Sequence, residues 1–130
     1  MSFADCLVMT RTLVSVVDDD ESVRESLPDL LLSFGLEAQP FASAEEFLAS
    51  DALDRTGCLV LDVAMPGMSG PQLQQELARM KHAIPIVFIT AHSEERVRPT
   101  VLRRGAVAYL IKPFSETAIL EAVRTALARA

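Results

Sequence analysis

Asp18, Asp19 and Asp20 follow one another directly after Val16-Val17, and Asp62 closes the apolar run from Cys58 to Leu61. Like charges so crowded repel. At ~5 Å and an effective dielectric of ~20, each pair costs roughly 3 kcal/mol. A divalent cation removes that cost, and hard oxygen donors with no Cys or His among them suit Mg²⁺. Mg²⁺ keeps several waters and shares its sites with phosphate oxygens, so the chemistry indicated is phosphoryl transfer. Asp62 is then the candidate nucleophile. The open stretch from Ala64 to Gly70 (AMPGMSG) after it leaves room for a donor. Asp18 and Asp19 hold the metal, Lys112 supplies a fixed positive charge to the phosphoryl oxygens, and Thr90 offers them a hydroxyl. An aspartyl phosphate adds about −1.5 to −2 charge units, enough to pull on both groups.

These residues run from position 18 to position 112, so the fold must bring them together. Apolar runs alternate with helical periodicity. Strands are expected at Leu13–Val17, Leu36–Phe41, Cys58–Val63, Ile84–Thr90 and Val107–Ile111. Pro40 suggests that the second lies at an edge. Helix one carries Val23, Leu27, Leu30, Leu31 and Phe34 on one face, runs through a kink at Pro28, and closes at Gly35. Ser43 and Glu46 read as a capping box opening helix two, with Phe47 and Leu48 inward. Pro71 opens helix three, with Leu73, Leu77 and Met80 inward. Pro99 interrupts the fourth helical stretch, so a short helix starting at Pro99 is expected after a long loop. Helix five is expected from Ser115 to Ala128. Strands apolar throughout and alternating with helices make an α/β fold, a five-stranded parallel sheet with helices on both faces. Function in such sheets gathers at the carboxyl ends of the strands. Those ends carry Asp18 and Asp19, Asp62, Thr90, and Lys112.

Plainer roles exist for each residue alone. The acid run can cap helix one, and that explains Asp20 or Glu21 without needing three acids. Of 12 basic residues only Lys81 and Lys112 are lysines, and one of them ends strand five. Tyr109 reads as a packed strand residue, His92 as polar lining and Cys58 as core filling. The conjunction at one sheet edge carries the functional reading.

The chain has 130 residues, 50% hydrophobic, with net charge −6. One domain is expected, residues 13–130, behind a disordered leader at 1–12. An acidic chain does not wrap a phosphate backbone by itself, so no direct nucleic-acid binding is expected. No apolar run suits a membrane span. Cys6 and Cys58 make no disulfide framework, which fits a cytoplasmic protein.

Four stretches, VVDDDESVRESL, LVLDVAMPGMSG, PIVFITAH and GAVAYLIKPF, resemble the receiver domains of two-component response regulators, over about Thr12 to Ala128. The wording SAEEFL and GAVAYLIKPF is similar to the FixJ-like branch. The resemblance implies a flavodoxin-like strand order 2-1-3-4-5 and a phosphoacceptor at Asp62. It implies Mg²⁺ on Asp19, Asp62 and the main-chain carbonyl of Ala64, with Asp18 reaching it through water. Thr90 and Lys112 become the switch hydroxyl and lysine, with a cis peptide before Pro113. Tyr109 turns inward when Thr90 moves toward the phosphoryl group, and the face of helix four, strand five and helix five then changes. Arg103, Arg104 and Tyr109 are candidate contacts on that face, for a partner or a second copy. Phosphate comes from a histidine kinase or phosphotransfer protein. Ala64 and His92 sit where family members tune phosphoryl lifetime. Pro99 and the charged loop Ser93–Arg98 depart from the pattern, implying a looser switch face or a different rest state. FixJ-like relatives typically carry a DNA-binding output domain. None is read after helix five, so this chain is expected to be a stand-alone regulator or an excised receiver.

Two other functions compete. A phosphohydrolase of the dehalogenase type carries a second Asp two residues after its nucleophile. Ala64 stands there, which argues against turnover. A degenerate docking module would not need the full acid–Thr–Lys set.

Overall fold

The computed structural model describes residues 11–91 and 96–129. Five parallel strands, β1 (Leu13–Val17), β2 (Ala38–Phe41), β3 (Thr56–Asp62), β4 (Ile86–Thr90) and β5 (Ala108–Ile111), form one sheet in the order β2-β1-β3-β4-β5. Between and after them come α1 (Glu21–Ser33), α2 (Ala44–Leu48), α3 (Gly70–Arg79), α4 (Val97–Arg103) and α5 (Glu116–Arg129). A short 3₁₀ turn at Asp51–Asp54 precedes β3.

The two-residue period of the strands sends alternate side chains to two separate cores. Leu59, Leu61 and Phe88 pack with Phe47 of α2, Leu73 and Leu77 of α3, and Val101 of α4. Cys58, Val60, Val87 and Ile89 face the other way, onto Leu27 and Leu31 of α1 and Ile119, Val123 and Ala126 of α5. Helices therefore cover both faces, which is why the central strands are apolar throughout. A buried polar pair between β1 and β3 is satisfied: Thr56 Oγ1 donates to Ala52 O at 2.7 Å, leaving Ser15 Oγ to donate to Thr56 at 2.7 Å.

Local signals account for the helix starts. Asp20 caps α1 by accepting the Ser22 N–H. Ser43 accepts the Glu46 N–H, but the reciprocal capping box closes at Ser69 and Gln72 on α3 instead. Ser115 accepts the Ala118 N–H at the start of α5.

Some expected boundaries shift. The edge strand is shorter than Leu36–Phe41, β3 starts two residues before Cys58, and β4 starts at Ile86 rather than Ile84. α1 runs through Pro28 as expected, but Phe34 is 46% exposed and Met80 36% exposed, against the inward placement expected of both. Each is the cap residue just past its helix, where the helical periodicity no longer aims the side chain. α4 begins at Val97, two residues before the expected Pro99. Proline at the third position is tolerated because N–H groups of the first turn have no intrahelical partner. The leader with Cys6, and His92, lie outside the described residues, as does most of the loop before α4.

Candidate functional site

Strand pairing builds the site. Val17 pairs with Leu61, which sets Asp18 beside Asp62. Asp62 pairs with Ile89, and Thr90 with Ile111, which sets Lys112 just past that pair. Backbone bonds carry the ladder one step beyond the strands: Asp18 N–H to Phe41 O, Val63 N–H to Ile89 O and Lys112 N–H to Thr90 O. Asp18, Asp62, Thr90 and Lys112 thus meet at one sheet edge, each fixed by main chain that belongs to the sheet.

Asp18, Asp62 and Thr90 are buried, whereas Asp19 points outward. Each of Asp18, Asp19 and Asp62 offers a carboxylate oxygen, and these oxygens all lie within 4.8 Å of one another. Lys112 Nζ donates to Asp18 Oδ2 at 2.7 Å, and the Asp20 N–H donates to Asp18 Oδ1 at 2.9 Å. Burial, followed by the nearby charge of Asp18, pushes the Asp62 carboxyl up to about 7, while Lys112 pulls it down. A carboxyl raised first by burial and then by a neighbouring acid is one that a bound cation would relieve. The donor set is all oxygen and fits Mg²⁺.

The three consecutive aspartates divide the work. Asp18 is paired inside, Asp19 faces outward beside Asp62, and Asp20 caps α1. The Ser22 hydroxyl and N–H bonded to Asp20 hold its carboxyl below the usual range. Ala64 is exposed in the loop after Asp62. Gly70 closes that loop: its N–H donates to Val63 O at 3.0 Å, and a Cβ there would stand 2.3 Å from Asp62 O. The Lys112–Pro113 peptide is cis.

Two residues escaped the sequence reading. Arg24 reaches back from α1 to donate from Nη1 to Asp18 O at 3.0 Å. Glu45 of α2 accepts the Met68 N–H of the β3–α3 loop. Neither contact has a local sequence signal.

On the α4–β5 side, Tyr109 is only 8% exposed and packs inward, while Leu102 and Ile111 are exposed beside Arg103 and Arg104. A groove of about 560 Å³ lies at the other end of the sheet. It is lined by α3 and by residues preceding β4 and β5, and none of Asp18, Asp19, Asp62, Thr90 and Lys112 borders it. Among the described residues no helix is long and apolar enough to cross a membrane.

An acid cluster and a lysine at the carboxyl edge of a 2-1-3-4-5 sheet agree with what sequence comparison finds. The response regulator receiver domain family matches residues 14–124, and the chain belongs to it. Within that family it is FixJ-like. It is 48% identical over 120 residues to nodulation protein W of Bradyrhizobium diazoefficiens, covering 92% of this chain and 53% of that one. To the transcriptional regulatory protein FixJ of Azorhizobium caulinodans it is 44% identical, covering 89% of this chain and 55% of that one. The crystal structure of FixJ-N superposes with a TM-score of 0.84 at 38% identity, over 94% of this chain and 98% of that one. The chain spans about half the length of the curated relatives it matches.

Proposed function

We propose that this receiver domain takes a phosphoryl group from a phosphohistidine of a histidine kinase, or of a phosphotransfer protein, onto Asp62. The observation that carries the reading is the convergence of Asp18, Asp19 and Asp62 within 4.8 Å, with Lys112 bonded to Asp18. An Asp62 oxygen attacks phosphorus, the P–N bond breaks, and the imidazole nitrogen leaves with the electron pair and takes a proton. The product is an acyl phosphate. Asp19, Asp62 and the Ala64 carbonyl are the groups that would hold Mg²⁺ directly. Both Asp18 oxygens already accept internal bonds, which supports a contact through water. When bound, the ion neutralises the acid cluster and the charge developing on the phosphoryl oxygens.

Lys112 holds its ammonium at the site by pairing with Asp18 until phosphoryl oxygens compete for it. Thr90 waits at the end of β4 with a hydroxyl for the same oxygens. Tyr109 and Thr90 are the switch pair, and the described structure has the Tyr109 ring already inside. Population shift between ring and hydroxyl arrangements then alters the α4–β5–α5 face, where Leu102, Arg103, Arg104 and Ile111 await a partner or a second copy. Ala64, where an acid/base would stand, supports a switch over a turnover phosphatase. Burial pushes the Cys58 thiol up to about 12 and keeps it unreactive, so it plays no part in the chemistry.

Intact mass after incubation with acetyl phosphate tests the reading. A gain of one phosphoryl group that needs Mg²⁺ and is lost in Asp62→Asn is expected. No adduct, together with no Mg²⁺-dependent change on adding beryllofluoride, sinks it.

A further inference from the structure

The β3–α3 loop, which follows Asp62 and carries Ala64, is pinned from outside itself. Glu45 stands 23 positions before Met68, yet its Oε2 accepts the Met68 N–H at 2.9 Å. Gly67, at φ +76°, lies directly beneath that carboxylate, and a Cβ there would come within 2.7 Å of Glu45 Oε2. What calls for glycine at position 67 is the left-handed backbone, which a side chain would strain, since the Glu45 carboxylate is the mobile end of its side chain and could swing aside. That bond also holds the Glu45 carboxyl below the usual carboxylate range. The loop is therefore bound by an ionised acceptor, through a charge-assisted bond that lies on the solvent-exposed surface. At its far end the Ser69–Gln72 capping box and the Gly70 to Val63 bond complete the frame.

We propose that Glu45 is a positioning residue for phosphoryl acceptance: its carboxylate fixes the β3–α3 loop, and through the loop the main-chain carbonyl of Ala64. The proposal rests on the reading of the site given above. Mg²⁺ tolerates little departure from distances of about 2.0–2.1 Å, so a carbonyl on a wandering loop is a poor ligand. Supports one step removed from a metal typically matter to its affinity by about tenfold or more. Glu45 touches neither the phosphoryl group nor the cation site. It acts through Gly67 and Met68 alone.

The test compares the chain with Glu45→Ala and Glu45→Gln, with Asp62→Asn as the blank. Hydrogen exchange at the Met68 amide, followed by NMR without Mg²⁺, reads the clamp. Mg²⁺ affinity and the rate of phosphorylation by acetyl phosphate read its effect on the site. Glu45→Ala is expected to speed Met68 exchange and to weaken Mg²⁺ binding by about tenfold, with a matching fall in rate. Glu45→Gln keeps an acceptor oxygen and should recover most of both. A protected Met68 amide in Glu45→Ala overturns the proposal. So does a freed amide with Mg²⁺ affinity and rate unchanged, or a Gln variant no better than Ala. If the parent chain itself binds no Mg²⁺ and gains no phosphoryl group, the site reading fails first, and the clamp is structural only.

Discussion

Lys112 Nζ lies 2.7 Å from Asp18 Oδ2 across 94 positions of sequence, joining the ends of β5 and β1. The Asp18 side chain is fully buried and that of Lys112 is 17% exposed. Removing one partner of such a pair leaves the other charge inside without compensation, at a cost of about 3–5 kcal/mol when both are dry. Water reaches Lys112, so Lys112→Ala should lose about 2–3 kcal/mol in urea unfolding. Added Mg²⁺ should recover part of it. A variant as stable as the parent would show that Lys112 does not hold the Asp18 charge.

Asp62 gives the opposite of the usual pH behaviour of an aspartate. Its carboxyl moves from an ordinary 3.8 up to about 7 on folding. Between those values the unfolded chain has released the proton and the folded chain keeps it. The Asp62 contribution is therefore fully present below about pH 3.8 and lost as pH rises through about 7. Asp62→Asn removes that slope. Measured in EDTA, its stability advantage over the parent should grow from pH 4 to pH 7.5, to on the order of 2 kcal/mol after allowance for water at the open side of the site. Mg²⁺ should erase it. An advantage that stays flat with pH would contradict the raised carboxyl.

Gly70 and Gly35 separate two meanings of glycine. Gly70→Ala drives a methyl to 2.3 Å from Asp62 O, so main chain at the phosphoacceptor must shift. It should lose about 2–4 kcal/mol and most of its phosphorylation. Gly35 has φ +80° and open space around it, so Gly35→Ala meets only backbone strain, about 1–2 kcal/mol. Its phosphorylation should match the parent. Equal kinetic damage in both would mean that the loss tracks stability rather than the site.

The three aspartates should fail differently. Asp20→Ala removes the cap of α1, lowering the melting temperature by a few degrees with Mg²⁺ affinity retained. Asp19→Ala should leave the melting temperature of the metal-free chain level or raise it, and weaken Mg²⁺ at least several-fold. Calorimetry and Mg²⁺ titration on the two variants check the division. If Asp20→Ala weakened Mg²⁺ as much as Asp19→Ala, the separation of roles would fall.

The strand ends were legible because apolar runs announce themselves and the polar residue that stops each run is the one the sheet presents. Asp18, Asp62, Thr90 and Lys112 all follow from that. What escaped the sequence are contacts set by tertiary packing. Arg24 to Asp18 O and Glu45 to the Met68 N–H join positions with no periodic relation. Phe34 and Met80 misled because apolar spacing continued one residue past the last helical turn. Pro99 set the expected start of α4 two residues late, because a proline is tolerated at the third position of a helix as well as at the first.

β3 is a wall shared by two rooms. Cys58 and Val60 belong to one interior and Leu59 and Leu61 to the other, and all four are fully buried. Neither interior can come apart without stripping one side of the same strand. The consequence is cooperativity: the α1–α5 layer and the α2–α4 layer melt together, in a single transition in which every probe reports the same midpoint.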